Sequence, residues 1–296
     1  MKPGGRIGFK TSPQSVDWAT LDETWSLAGE LKVLDAAWMN DHLTSPSQEH
    51  GGASFESLTL AATLAHRIPG KWIAHGVLAN TFRHPAVLAK AATILDHATG
   101  GRFIIGLGAG WHEREHTDFG IPLPPIRERI DRLESSVAVL KALFSPEAGR
   151  PPGVTRPDRH YPLHEAINEP RPVQPGGPPI WLGGQRRRGI ALAARLGDGW
   201  IMPGDRAGDV DYLRSKRDVM LRALGEHGRD DSGFAFVGQV TAGTTPNERR
   251  EALEKARAFV GAGADHVVLA IPARGGPAAL AGLAAEVAEP LREAWG

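Results

Sequence analysis

Apolar residues fall along this chain in two alternating rhythms. Short runs rich in branched and aromatic residues, RIGFK (6–10), LDAAWM (34–39), KWIAHGVLA (71–79) and RFIIGLG (102–108), read as strands. Each is followed by a longer stretch with helical spacing. Near 20–32 the apolar positions are Leu21, Trp25, Leu27, Ala28 and Leu31, and a second helix is predicted from about Ser54 to Arg67. A third opens at Pro85 and runs to about Ala98, proline being tolerated in the first turn, where its missing N–H is no loss. A fourth spans IRERIDRLESSVAVLKALF, with apolar residues three and four apart.

After a Pro/Gly/His-rich gap at 145–178 the rhythm resumes. PIWLGG, DGWIMP, FAFVGQVTAG and DHVVLAI are strands. Each precedes a helical stretch, RRGIALAARLG, VDYLRSKRDVMLRALGEHG, NERREALEKARAFVGAG and an alanine-rich C-terminal segment. Strand–helix alternation implies a parallel sheet, and eight units in 296 residues predict a closed (β/α)8 barrel, an α/β fold in one domain over 1–296. A doubly wound open sheet is the alternative. The gap is an insertion between strands four and five, predicted as a long loop over one end of the barrel.

A barrel directs attention to the loops after its strands, where such folds carry their sites. These are Asn40–Thr44, Val77–Thr81, Gly108–Glu115, Gly183–Arg188, Met202–Arg206, Thr241–Thr245 and Ile271–Arg274. The early loops are rich in polar chemistry (NDHLT, LANTFRH, GAGWHE), and a later one reads GGQRRR.

Composition narrows the chemistry. Lys plus Arg and Asp plus Glu are equal at 34 each, so no basic field favours nucleic acid, and Arg186–Arg188 is the one tight basic run. The absence of cysteine removes disulfides, thiolate metal sites and thiol nucleophiles. No stretch is apolar enough to span a membrane and the N-terminus has no apolar signal core, so a soluble cytoplasmic protein is expected.

Two strings meet at 101–120. HEREH fits H-E-x-x-H, in which two histidines one helical turn apart bind zinc and the glutamate is the base. Glu134 could be argued as a third ligand, but nothing else supports a metal site. The longer zinc-protease pattern fails too, because residue 119 is Phe where glycine is needed. GLGAG is spaced G-x-G-x-G after the fourth strand, unlike a dinucleotide fingerprint, and reads as a sharp turn or a close backbone approach to a flat ring.

Asp41 and His42, after the second strand, are the sharper candidates, since a histidine near neutral pKa in such a loop is a natural acid/base. His75 is expected to be structural, and His112 and His116 surface or rim residues. Gly183 and Gly184, opening a helix with arginines nearby, suit a phosphate seat. Trp38, Val77 and Trp111 would form an apolar floor. A flat, phosphorylated ring cofactor fits this set better than a metal. With no G-x-S-x-G elbow, acyl transfer lacks a nucleophile.

WMNDHL, GVLANTFRHPAVLAKAATILDHATGGRFIIGLGAGWHEREHTDFG, INEPRPVQPGGPPIWLGG and ARLGDGW, taken in order, resemble the bacterial luciferase-like flavin and deazaflavin oxidoreductases, in particular the branch using coenzyme F420. The resemblance implies a (β/α)8 barrel and places Asp41 and His42 near the redox ring. It implies a non-prolyl cis peptide at Gly76–Val77, with Asn80 toward the ring edge. Ala109, Gly110 and Trp111 would line the ring or phosphate chain, and Gly183, Gly184 and Gln185 would contact phosphate. Glu113 and Glu115 belong to the family string, which leaves the two histidines of HEREH incidental. Trp111 stands where sugar-phosphate dehydrogenases of the family carry an acid, so a different substrate is implied. The activity implied is hydride transfer between F420 and a small organic substrate, with His42 handling the proton. FMN-dependent monooxygenation with a separate reductase is the alternative, and a cofactor-binding barrel without turnover is a third reading. Members often dimerise, so a homodimer is expected.

Overall fold

The computed structural model describes residue 2 and residues 5–46, 52–272 and 274–295. Part of the loop after the second strand (47–51) and Ala273 of the last rim loop lie outside the described residues. Eight parallel strands are present: β1 (Ile7–Thr11), β2 (Ala36–Met39), β3 (Trp72–His75), β4 (Phe103–Gly108), β5 (Ile180–Gly183), β6 (Gly199–Ile201), β7 (Ala235–Thr241) and β8 (His266–Ala270). Each pairs with the next in chain order, and β1 pairs with β8 in register Ile7 with Val267. That last pairing closes the barrel and disposes of the open-sheet alternative.

Helices α1 (Trp18–Glu30), α2 (Ser57–Leu64), α3 (Pro85–Ala98), α4 (Glu113–Asp118), α5 (Ile126–Phe144), α6 (Arg187–Leu196), α7 (Val210–Glu226) and α8 (Pro246–Gly261) follow β1 to β7, two of them after β4. Local chemistry sets their ends. Asp17 caps α1 by accepting from the Thr20 amide, and Thr245 with Glu248 forms a reciprocal capping box on α8. After β8 the chain runs through α9 (Gly276–Leu283), a π-helical turn at Ala284–Ala288 and α10 (Glu289–Trp295). The alanine-rich segment is thus helical but interrupted.

Buried strands of a parallel barrel are apolar on both faces, which is why they read as continuous runs. Outward residues such as Phe9, Phe103 and Phe236 meet the helices, where Trp25 of α1 is fully buried and donates to the Thr11 hydroxyl at 3.1 Å. Inward residues form a separate plug of Trp38, Ile104, Trp181, Ile201, Val237 and Val268. Trp38 and Trp181 lie 5.9 Å apart, and burying a side chain of this kind stabilises by roughly 2–3 kcal/mol. This plug is the floor beneath the rim.

Two expectations change. The predicted third strand, 71–79, is not continuous: β3 stops at His75, the Gly76–Val77 peptide is cis as the family resemblance implies, and Leu78–Ala79 pairs separately with β4. The insertion does not lie across one end of the barrel. It carries an antiparallel hairpin (Val154–Arg156 with Leu163–Ala166) and is strapped along the outside of α3 and α5. Asn168 and Arg171 donate to the Leu143 carbonyl at 3.1 and 2.9 Å, and Gln174 donates to Asp96 through backbone and side chain at 2.8 and 2.7 Å. Tyr161 meets His84, the N-cap of α3, edge-on at 5.0 Å.

Candidate active site

The loops after β2, β3 and β4 are tied together by two carboxylates. Asp41 is buried. Its Oδ2 accepts from the Ala79 amide at 2.8 Å, and Arg83 grips both oxygens at 2.6 and 2.8 Å. Arg83 also bonds Glu56. Partial burial opposes ionisation of Glu56, but bonds from Thr59 and Arg83 outweigh it and hold the carboxyl down to about 2. The expectation that Asp41 is a catalytic group meets a carboxylate already fully engaged, and its geometry is that of a clamp between the β2 loop and the segment after the cis peptide.

His42, next in the chain, is held by the second carboxylate. Its Nδ1 lies 3.0 and 3.2 Å from the two oxygens of Glu115, and the Leu43 amide donates to the same carboxylate at 3.0 Å. Glu115 is buried within α4, while His42 is half-buried. The imidazole Nε2 has no partner among the described residues and keeps contact with solvent. Trp111 and His112 meet the ring edge-on at 5.8 and 6.2 Å, which fixes its plane.

Two expectations around these rings need correction. Trp111 is not part of the apolar floor: it is 65% exposed at the rim, beside His42. His116 is not a surface residue: it is buried, with Nδ1 2.8 Å from the His112 carbonyl and Nε2 2.7 Å from the Thr81 hydroxyl. A carbonyl only accepts, so Nδ1 carries the proton and Nε2 receives the hydroxyl hydrogen. Both ring nitrogens are thereby used, and no cluster of metal-ligating side chains exists among the described residues. HEREH is a structural string in which Glu115, its fourth residue, does the positioning.

Glycines give the backbone its close approaches. A Cβ on Gly108 would sit 2.6 Å from the Val77 side chain, so glycine there makes room for the bulge after β3. Gly110 has φ +77°, and a Cβ would fall 2.5 Å from the Thr81 hydroxyl. Gly76 lies above Trp38, and its carbonyl is 3.4 Å from Lys10 Nζ. The Asn80 amide donates to the Gly108 carbonyl at 2.9 Å, and Ala109 packs on the outer core. Gly76, Val77, Asn80, Ala109 and Gly110 are therefore brought to one stretch of rim.

Gly183, Gly184 and Gln185 form the turn into α6. The Gly184 carbonyl accepts from Trp200 Nε1 at 2.8 Å and the Gln185 carbonyl from Lys216 at 2.9 Å. In a trans peptide the N–H points opposite to the C=O, so the Gln185 and Arg186 amides are directed away from those donors. No side chain caps α6. Oriented amides at an uncapped helix start suit an anionic group.

Sequence reasoning missed Lys10, Arg83 and the role of Glu115. Lys10 points into the barrel, 3.0 Å from Gln239 Oε1, and burial lowers its ammonium to about 8. Its place in RIGFK shows nothing of this, because only barrel closure brings it to Gln239.

Such a barrel, with a histidine poised at its C-terminal rim and glycines cradling a bulged third strand, is of the luciferase-like kind. Residues 10–295 match the luciferase-like monooxygenase family, and the chain belongs to it. It is 30% identical over 227 residues to the F420-dependent glucose-6-phosphate dehydrogenase of Kineococcus radiotolerans, covering 76% of this chain and 64% of that protein. The chain thus spans less than two thirds of the length of such relatives. The fold is shared with an F420-dependent secondary alcohol dehydrogenase (TM-score 0.81, 16% identity, 98% and 99% of the two chains). It is also shared with a long-chain alkane monooxygenase (TM-score 0.78, 15% identity, 99% and 92%).

Proposed function

We propose that the chain is an oxidoreductase that uses coenzyme F420 to move a hydride to or from a small organic substrate. The observation that carries this reading is His42, with Nδ1 tied to a buried carboxylate and Nε2 open at the rim. Its chain neighbour Asp41 is clamped to the segment after the cis peptide. When bound, a deazaflavin supplies the hydride chemistry, and the protein supplies orientation and proton handling. His42 gives or takes the accompanying proton at Nε2. Gly76, Val77, Asn80, Ala109 and Gly110 bed the ring, and Gly183, Gly184 and Gln185 seat the phosphate on the amides entering α6. Trp111, exposed beside His42, walls the substrate end. Its indole offers no acid where the sugar-phosphate dehydrogenases of the family carry one, which argues for a substrate other than glucose 6-phosphate.

FMN is the second reading, favoured by the family's luciferase-like monooxygenase character and by the fold shared with an alkane monooxygenase. In that case a separate reductase is the partner. A homodimer and a cytoplasmic location accompany both readings. Among the described residues no helix is long and apolar enough to cross a membrane. Fluorescence titration with F420 and FMN, followed by assay on a panel of alcohols and ketones, tests the proposal. FMN binding without F420 binding would overturn it. Binding without turnover on any substrate would favour a cofactor-binding barrel. An unchanged rate in His42→Ala would remove the proton role.

A further inference from the structure

We propose that Glu115 sets the tautomer of His42, holding hydrogen on Nδ1 so that the Nε2 lone pair is the basic atom presented at the rim. The argument is one of hydrogen-bond bookkeeping. The Leu43 amide can only donate, and it donates to Oε2 of Glu115 at 3.0 Å. A carboxylate is an acceptor at both oxygens, so the ring nitrogen 3.0 and 3.2 Å away must be the donor. Neutral imidazole has one N–H, so Nε2 is left bare. A 180° flip of the ring would set Cδ2, which has no nitrogen to donate from, against Glu115, so the bonded orientation is the one that keeps Nδ1 there. His112, the other titratable ring against His42, stands perpendicular to it with the ring centroids 6.2 Å apart.

Glu115 is buried beneath His42 and acts through it as a positioning residue. The inference about turnover rests on the oxidoreductase reading, whereas the tautomer itself does not. In the direction that oxidises an alcohol, Nε2 would take the hydroxyl proton while a bound cofactor would accept the hydride from carbon, so imidazole must begin bare at that nitrogen. In the reverse direction the same nitrogen returns the proton.

Nitrogen-15 NMR of the full-length protein labelled at histidine, with His42→Asn for assignment, tests this directly. Neutral His42 is expected with Nδ1 protonated and Nε2 bare. Glu115→Gln should invert the tautomer, because the amide oxygen stays with the Leu43 N–H and turns its NH2 toward Nδ1. Turnover in that variant should fall by roughly 100- to 10,000-fold, the scale of a mis-set histidine tautomer, with cofactor affinity unchanged. A wild-type His42 protonated at Nε2 when neutral would overturn the proposal, and that spectrum decides the matter even if the variant does not fold. An inverted tautomer with unchanged turnover would overturn the role in the reaction. Failure of the wild type to bind F420 or FMN would sink the oxidoreductase reading and leave the tautomer result standing.

Discussion

Replacing Lys10 by methionine should flatten the alkaline arm of the protein's stability profile. Lys10 is 8% exposed, on the inner face of β1, and among the described residues its Nζ meets only neutral acceptors, Gln239 Oε1 at 3.0 Å and the Gly76 carbonyl at 3.4 Å. Burial lowers its ammonium from 10.5 to about 8. Between those values the unfolded chain holds a proton that the folded chain has released, so stability rises with pH across the window. The full penalty for the buried charge applies below about 8 and is gone above 10.5. From about pH 7 to about pH 10 the gain from this one group is about 2.5 kcal/mol. Methionine is one heavy atom shorter, keeps an unbranched apolar stem and has no titration. At neutral pH the relief of the buried charge is offset by about 1–3 kcal/mol, because Gln239 Oε1 loses its donor. Urea unfolding of both proteins at the two pH values isolates the effect, since every other group cancels in the difference. The wild type should gain about 2–3 kcal/mol on the variant between them. Profiles parallel to within about 0.5 kcal/mol would refute the assignment of a buried, unpaired ammonium.

Acid stability should depend on His75, fully buried and lowered to about 4 by burial. Its neutral form favours the fold above 6.5, and that contribution, about 3 kcal/mol, is lost as pH falls through about 4; His75→Gln should unfold at lower pH than wild type in an acid titration followed by circular dichroism. Arg83→Met should cost roughly 3–5 kcal/mol in chemical denaturation by stranding the buried Asp41 carboxylate, and adding Asp41→Asn should recover part of it. Gly110→Ala should cost roughly 1–3 kcal/mol in thermal unfolding, and Thr81→Ala in the same chain should recover only the steric share, since φ +77° remains unfavourable to alanine.

The elements most legible in the sequence are those whose signals are local. α3 begins at Pro85 and ends at Ala98, and α5 spans Ile126–Phe144, as their periodicity predicts. The hairpin within 145–178 left no such trace, because that segment is fastened by Asn168, Arg171 and Gln174 reaching carbonyls and a carboxylate of α3 and α5 rather than by an apolar stripe. Around the site, His42 was legible as a histidine in a rim loop, but its partner was not. Asp41 is adjacent in sequence and is committed to Arg83, while Glu115 lies 73 positions away and was visible only as a letter in a family string. His116 shows the same limit: its i–4 bond to the His112 carbonyl follows from helical spacing, but its burial comes from Thr81 on another loop.

By itself the sequence determined the order of strands and helices, the absence of thiol chemistry and the rim segments where a site could form. Those follow from side-chain spacing and backbone preference, which act over a few residues. Which groups meet was decided by the tertiary structure alone. Closing β1 against β8 sets Lys10 beside Gln239, 229 positions away, and the loop after β4 carries Glu115 under His42. Hydrogen bonds and charge pairs depend on distances of a few ångströms, and those are fixed only when the strands close into a ring.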